Sequence, residues 1–512
     1  MLNRVISKWQ LLATAVGGIV GSGWLFGPML VAKDTGPASI FAWMLGGTLM
    51  IFIVLTFAEL GTAYPVAGGT ARYTHFSHGP WVSFTLAWVA YLASVIVPAI
   101  ETMAAVQYAA NYIPNLVSQG DGASVVLSPL GIGASCAVMA LMCFINVYAV
   151  RVFAKSNSWL VLWKFAVPLI AALLLISHNW HSISNISDGN WFPYGIGGML
   201  KSLPTAGIIF SFIGFSPAIQ LAAEAKNPQI AVPFAILGAI ILALALYVLV
   251  QFAFILALPA GSHIHGWHNL HFMNDSGPVA ALLTAAGFIW FVKIIYLDAF
   301  VSPLGTAFIY TASTARLGYG LSKNDYFPEV LQDLNKAQVP YKAILLNYFV
   351  GILFFLPFPG WQGMVSFLVS CFILAYAVGP IACVVLRKKD PTTVRPFKLK
   401  GYILIANIAF IVCNLLIYWS GWTVVWRMMV AVLFGYVYLF IFFYIRKRSL
   451  SELSFAAGVW TIPYLLGLAL LSFVGDFGGR HYLPFGWDCL VVALFSIVIF
   501  YYAVRCAKYH VV

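Results

Sequence analysis

Three ionisable side chains sit deep inside apolar stretches of this 512-residue chain: Glu101, Lys164 and Asp298. Lys164 lies about 8 residues, or ~12 Å along a helix, from the nearer end of its stretch, too far in for easy snorkelling. An ionisable group at that depth is expensive and marks a functional site by default. Such an ammonium is suited to losing and regaining a proton. The alternative is a lysine permanently paired with Glu101 or Asp298. Asp298 stands one turn before Ser302-Pro303, with Lys293 five positions earlier. It has three possible roles: accepting a proton, pairing with a lysine, or hydrogen-bonding backbone opened by Pro303. Glu59 and Glu224 lie nearer the ends of their stretches, where Arg72, Arg316 or Lys226 can form salt bridges that open and close as gates. Arg427, near the end of another stretch, has a stem long enough to snorkel.

Metal chemistry is a weaker reading. His263, His265, His268 and His271 fall within nine residues, but no acid lies between them, and a zinc enzyme needs three converging ligands and an activating carboxylate on a fixed frame. A solvated loop explains them better. The seven cysteines all fall within or at the ends of apolar stretches, without a CxxC spacing, so neither metal nor disulfide is expected. No cofactor is called for.

The elements that must position these groups are membrane helices, two of them interrupted. The run from Trp9 to Val31 carries Gly17, Gly18, Gly21 and Gly23 at its centre. Each interior Gly costs on the order of 0.5–1 kcal/mol relative to Ala, and unwound backbone at membrane depth is tolerated only where it lines a protein-enclosed cavity. A second interruption runs from Gly207 through Gly214 to Pro217, with Ser216 expected as the N-cap of a new half-helix. Free N–H groups at such breaks attract anions, and free carbonyls attract cations. An amino acid zwitterion offers one of each. Its carboxylate is expected at the Gly21-Ser22-Gly23 turn, on the Ser22 and Gly23 amides and the Ser22 hydroxyl. Its ammonium is expected at carbonyls near Ile19 and from Phe210 through Ser211 to Ile213, with Phe210 or Phe215 closing over it.

Composition agrees with this frame. With 62% hydrophobic residues, 8% charged residues and a mean hydropathy of +0.93, the chain is an all-α polytopic membrane protein. Apolar runs recur at about 8–32, 38–62, 82–112, 127–148, 156–177, 199–222, 231–258, 279–320, 343–357, 363–386, 402–419, 424–445, 456–474 and 487–505, about fourteen spans. The first is expected to be retained, because no cleavage site follows a short apolar region. If the N-terminus is cytoplasmic, only Lys33 and Arg480 fall on the outer face, and Lys164, Lys201, Lys293 and Arg427 lie inside spans or at their ends. That leaves 21 of the 27 Lys and Arg on the inner face. The net charge of +12 therefore reports topology, with both termini cytoplasmic, and not nucleic-acid binding. The loops 63–80 and 322–341 are amphipathic in part and suit gates, while 178–198 is polar and external. The two broken spans are first and sixth, so they run in opposite directions, as in two inverted five-span repeats with a midplane site. Repeat one covers about 8–177 and repeat two about 199–387, giving a core of 1–390 and four peripheral spans in 391–512.

Five motifs in order complete the reading. They are Gly21-Ser22-Gly23-Trp24-Leu25-Phe26; Glu59-Leu60 through Tyr64-Pro65-Val66-Ala67-Gly68-Gly69; Gly214-Phe215 with Glu224-Ala225-Lys226-Asn227-Pro228 and Pro233; Ala315-Arg316-Leu317 to Phe327-Pro328; and Arg395-Pro396-Phe397. With them the chain resembles the amino acid, polyamine and organocation superfamily of secondary transporters over nearly its whole length. Within it, Leu297-Asp298-Ala299, Leu356-Pro357-Phe358-Pro359 and Tyr418-Trp419-Ser420-Gly421-Trp422 look most like bacterial fourteen-span aspartate:proton symporters. The resemblance implies a LeuT-type 5+5 inverted repeat with broken helices 1 and 6 and about four extra C-terminal spans. It also implies a Lys164 that replaces a sodium ion by bridging spans one, five and eight. The activity it implies is proton-coupled import of an acidic amino acid, aspartate or glutamate, by alternating access across the cytoplasmic membrane. An exchanger of the same fold and a non-transporting amino acid sensor are the alternatives. Two departures stand out: Ser216 occupies a position where many relatives carry a carboxylate, and only Lys293 offers itself to a substrate's side-chain carboxylate.

Overall fold

The computed structural model describes residues 4–66, 69–120, 125–148, 150–180, 190–259, 266–270, 272, 277–358 and 360–507. Ser7 and Gln10 form a capping box that starts α1, Lys8–Ile19, and the chain unwinds over Val20, Gly21 and Ser22 before α2, Gly23–Thr35. At Gly36 the backbone takes φ +61°, open to glycine without strain, and α2 folds back on α3, Ser39–Ala63. A short amphipathic α4, Gly69–His78, leads into α5, Pro80–Ala109. A two-stranded ladder follows, β1 Val117–Gln119 with β2 Val125–Leu127, in a loop the sequence left without structure. Then come α6, Pro129–Tyr148, and α7, Val150–Asn179.

The second interrupted span begins with α8, Gly195–Thr205, continues as a tight 3-10 segment over Phe210–Phe215 and ends in α9, Ser216–Gln220; its two arms are bent by 41°. Ser216 is not the N-cap expected of it. Phe215 holds that position in helical conformation, because the 3-10 turn runs straight into α9, and the Ser216 hydroxyl caps nothing. The later helices are α10, Pro228–Leu256; α11, Pro278–Ala285; α12, Ile289–Lys323; α13, Tyr341–Leu353; α14, Trp361–Tyr376; and α15, Val378–Lys389. The run expected at 279–320 is two helices, divided at Gly287 with φ +82°. The chain ends with α16, Tyr402–Trp419; α17, Trp422–Ile445; α18, Phe455–Gly458; α19, Thr461–Val474; and α20, Trp487–Cys506.

Among the described residues, ten helical stretches are long and apolar enough to cross a membrane, or up to twelve if each bent pair counts as one span. One of the ten is Gly23–Ala63, whose 41 residues include the fold at Gly36. The run expected at 343–357 is the short α13 of 13 residues. The protein is therefore a polytopic helical membrane protein with bent helices.

At the centre, α10 lies along α3, α12 along α5, α14 along α5, and α1 along α10. The stretch Trp361–Lys389 is enclosed by protein, whereas α17 and α19 turn Leu433, Phe434 and Leu466 outward, as lipid-facing helices do. One end of the bundle gathers Arg72, Arg316, Arg387, Arg395 and Arg448 and is called the basic end. The other carries the β-ladder and the segments around Trp191 and His268.

Candidate functional site

The two interruptions meet backbone to backbone. A Cβ at Gly18 would stand 2.5 Å from the Gly214 carbonyl oxygen, and one at Gly214 would collide with Gly18 and the Ile19 amide. Only glycine on both sides allows that approach. The break after Ile19 frees carbonyls that a continuous helix would have used, and neighbouring helices supply donors for them. Lys164 Nζ donates to Gly17 O (2.6 Å), Thr306 Oγ1 to Gly17 O (3.1 Å) and Val20 O (3.3 Å), and Tyr247 OH to Ile19 O (3.1 Å). At the second break, Tyr376 OH donates to Ile213 O (3.0 Å), and Ser211 Oγ to Gly207 O (2.8 Å).

The ammonium of Lys164 is fully buried and also donates to Thr306 Oγ1 (2.7 Å), so one side chain ties α7 to α1 and α12. What it grips is backbone and a hydroxyl. Opposite it, Ser22 N donates to Glu101 Oε2 (2.8 Å), so the amide expected to hold a ligand's carboxylate holds one of the protein's own. Glu101 Oε1 lies against Gly21, where any Cβ would collide with it and come within 3.0 Å of Thr306 Oγ1. Gly21 is the position that lets Glu101, Thr306 and α1 converge. Asp298 accepts from Trp163 Nε1 (2.8 Å) and Ser302 Oγ (2.6 Å), and those neutral donors take the place of a lysine partner. Lys293, five positions earlier, is exposed on the outside of α12.

Buried polar atoms normally have partners. Among the described residues, Glu101 Oε1, Asp298 Oδ2 and the Trp24 indole nitrogen have none. A buried carboxylate oxygen that accepts no hydrogen bond from the protein is a place where a proton can bind.

Beyond Ser22 the structure opens. A cavity of about 700 Å³ is lined by Phe26, Trp361, Lys33, Lys201, Gln107 and Arg427 among others. Its inner end is closed by Trp361, which donates from Nε1 to Ser22 Oγ (3.0 Å) and lies 5.3 Å from the Phe26 ring and 5.7 Å from the Phe210 ring. Gly207, at φ +95°, makes room for the same indole, since a Cβ there would lie 2.9 Å from it. Of the two phenylalanines considered as covers, Phe210 stands at this partition. Phe215 packs on Tyr376 and Phe57. Gly23 abuts Ser211 Oγ, so the two broken helices touch on this side of the crossing as well.

The basic end is shut. Glu59 pairs with Arg387 through both carboxylate oxygens and accepts from Leu399 N (2.9 Å); Arg395 stands 3.8 Å away. That corrects the pairing of Glu59 with Arg72, Arg316 or Lys226, because the partner comes from α15, remote in sequence. Arg72 instead donates to Asn324 Oδ1 (3.1 Å) and lies over the Phe76 ring. Glu224 and Arg316 do meet, at 3.4 Å. Beside them the N-terminal strand is stitched to the loop by Val5 N and Ile6 N donating to Glu224 O and Lys226 N donating to Ile6 O. Of the histidine cluster, His263, His265 and His271 lie outside the described residues; His268 stacks on Tyr194 with ring centres 3.8 Å apart.

Sequence reasoning passed over Thr306, Tyr247, Tyr376 and Trp361. For the first a signal exists: Asp298, Ser302 and Thr306 repeat at intervals of four and form a polar stripe on α12. Tyr247 and Gln251 repeat the pattern on α10, and Gln251 Nε2 donates to Pro28 O (3.2 Å). Trp361 follows the quoted Pro357-Phe358-Pro359 and Gly360 at the start of its helix. Tyr376 carries no local mark.

Known proteins carry the same pattern of sequence. A family model described as amino acid permease matches residues 6–461. The chain is 34% identical to the glutamate/serine transporter AimA of Bacillus subtilis, across 98% of this chain and 94% of that one. It is 32% identical to the aspartate-proton symporter of Bacillus subtilis, across 98% and 96%, and 25% identical to that organism's branched-chain amino acid permease BcaP, across 88% and 94%. The chain belongs to the amino acid permease family, within the amino acid, polyamine and organocation superfamily, and is an amino acid transporter and not an enzyme.

Proposed function

We propose that this permease imports an acidic amino acid together with protons by alternating access across the cytoplasmic membrane, with both termini inside. The observation that carries the reading is the Ser22 amide, held by Glu101 on one side of a broken helix that Lys164 holds on the other. A substrate carboxylate arriving at Ser22 competes with Glu101 for the same donor. Two carboxylates sharing one site repel unless one takes a proton. Substrate binding at Ser22 and Gly23 is thereby linked to protonation nearby, at Glu101, Asp298 or, later in the cycle, from Lys164. Loss of the lysine proton weakens the grip on Gly17 O and frees α1 to move against α12. The ammonium of the substrate uses the remaining lone pairs of the Ile19 and Ile213 carbonyls, and Phe210 with Trp361 closes over it.

The arrangement is an outward-facing form whose inner gate is closed. The cavity reaches Trp361 from outside, while Glu224–Arg316 and the N-terminal strand close the cytoplasmic end, with Glu59 and Arg72 bracing it. Packing supports the 5+5 repeat within about fourteen spans: α1 lies on the 3-10 segment of the second break, α3 on α10, α5 on α12 and α6 on α13, each pair joining span n to span n+5. In this division residues 1–390 form the ten-span core and 391–512 four peripheral spans. The two relatives named for glutamate, serine and aspartate support an acidic substrate, and the one named a symporter supports the proton.

The test is uptake by the purified protein in liposomes over the common amino acids, with and without an inward proton gradient. Accumulation of aspartate or glutamate that collapses without the gradient is expected. Uptake that requires internal amino acid and ignores the gradient would make the protein an exchanger. Binding without any accumulation would make it a sensor.

A further inference from the structure

The site at Ser22 lacks a cation for a substrate's second carboxylate: Lys164 is committed to Gly17 O and Thr306, and Lys293 is exposed elsewhere on α12. The cavity above it does not lack cations. Among the described residues its lining includes Lys33, Lys201 and Arg427 and one carboxylate, Asp34, which lies within the electrostatic reach of Lys201 and Lys33 but not of Arg427. Arg427 comes from α17, outside the ten-span core. It is an exposed residue that lines the cavity, its guanidinium 5.4 Å from the centre of Phe358 and 5.6 Å from that of Trp426. Phe358 is itself buried and stacked on Phe367 at 5.1 Å. An arginine laid beside the buried Phe358 ring is held at the cavity wall before any ligand arrives, and its planar fork matches a carboxylate. Phe26, Leu30 and Trp361 give the cavity apolar walls, and a cleft with an excess of positive charge between low-dielectric walls concentrates anions.

We propose that Arg427, with Lys201, forms a capture site in which the side-chain carboxylate of an acidic amino acid is held before the substrate passes Trp361 to Ser22. The inference rests on the acidic-substrate reading above and adds the residues that select for it. A peripheral helix thereby becomes part of the substrate path. Arg427 acts on encounter and selectivity, not on the proton step, so its loss is read in KM and not in the maximal rate.

The experiment is initial-rate aspartate uptake by the full-length protein in liposomes under an inward proton gradient, for the wild type, Arg427→Gln, Arg427→Lys and Lys201→Gln. Arg427→Gln and Lys201→Gln are each expected to raise KM for aspartate roughly tenfold with kcat within about twofold, and Arg427→Lys to recover part of the loss. Raising the ionic strength raises the wild-type KM, and does so less for Arg427→Gln. Unchanged KM and unchanged salt dependence in both glutamine variants would overturn the capture site, as would a fall in kcat at constant KM. Monodispersity and melting temperature in detergent identify a variant that has merely misfolded, and Lys201→Gln keeps the test alive if Arg427→Gln is one. Absence of wild-type aspartate uptake would overturn the acidic-substrate reading itself, a result separate from any difference between variants.

Discussion

Lys164 and Trp361 set what single side chains contribute. The ammonium of Lys164 supplies a donor to Gly17 O where the broken helix supplies none, and a hydrogen bond of a charged group is worth about 1.5–3 kcal/mol. Lys164→Ala removes both that donor and the group proposed to carry the proton. Gradient-driven uptake is expected to vanish while the protein still purifies as a monodisperse species, and full accumulation by this variant would remove Lys164 from the mechanism. Trp361 divides into a ring and an N–H. Trp361→Phe keeps an aromatic cover between Phe26 and Phe210 but deletes the bond to Ser22 Oγ, a neutral interaction worth roughly 0.5–1.5 kcal/mol. A change of at most about tenfold in KM is expected, against a larger loss for Trp361→Ala, both read from uptake kinetics.

At the scale of elements, the crossing of the two interruptions and the closure of the basic end rest on different physics. The crossing is steric. Gly18→Ala forces a Cβ onto the Gly214 carbonyl, and overpacking of this kind costs about 1–3 kcal/mol. A lower melting temperature in detergent together with loss of uptake is expected, while Gly133→Ala, where no atom lies within 4 Å of the added Cβ, changes neither. The closure is electrostatic and unequal. Glu59 and Arg387 have side chains only 2% and 10% exposed, so Glu59→Gln leaves a buried guanidinium without its counter-charge, at a cost on the order of 3 kcal/mol. Glu224 and Arg316 are 20% and 51% exposed, and such a pair is worth under ~1 kcal/mol. The first pair is therefore costly to break and the second cheap, as the proposed gate requires. Arg316→Gln is expected to leave the melting temperature nearly unchanged and to speed hydrogen exchange at the Val5, Ile6 and Lys226 amides, which join the N-terminal strand to the Glu224 loop.

For the whole molecule, the helices after residue 390 divide from those before it more cleanly along the chain than in space. α16 packs along α3 and α15, Leu399 binds Glu59 through its amide, Arg387 lies 4.0 Å from the Tyr402 ring, and Arg427 reaches the cavity. A chain ending at residue 390 would bare these buried faces. Truncation there is expected to abolish stable expression and uptake together, measured by fluorescence-detected chromatography and by transport. A truncated chain with full uptake would show that the helices after residue 390 are dispensable.

What the sequence determined by itself follows from local rules that need no partner. Hydropathy marks spans because a backbone in lipid must satisfy its own hydrogen bonds, and clustered glycines, or glycines followed by a proline, mark breaks because each weakens a helix; Gly17–Gly23 and Gly207–Pro217 were legible for those reasons. The burial of Lys164, Glu101 and Asp298 was legible too, since each lies inside an apolar stretch and away from its ends. Their partners were not. That Lys164 grips Gly17 O, that Glu101 occupies the Ser22 amide 79 positions away, and that Glu59 pairs with Arg387 and not Arg72 are decided by which helices pack together. The same holds for Arg427, whose place beside Phe358 and on the cavity wall follows from packing between helices distant in sequence. A side chain's position along a helix is set by the chain, whereas its hydrogen-bond partner is set by close packing between helices distant in sequence, and only the tertiary structure contains that information.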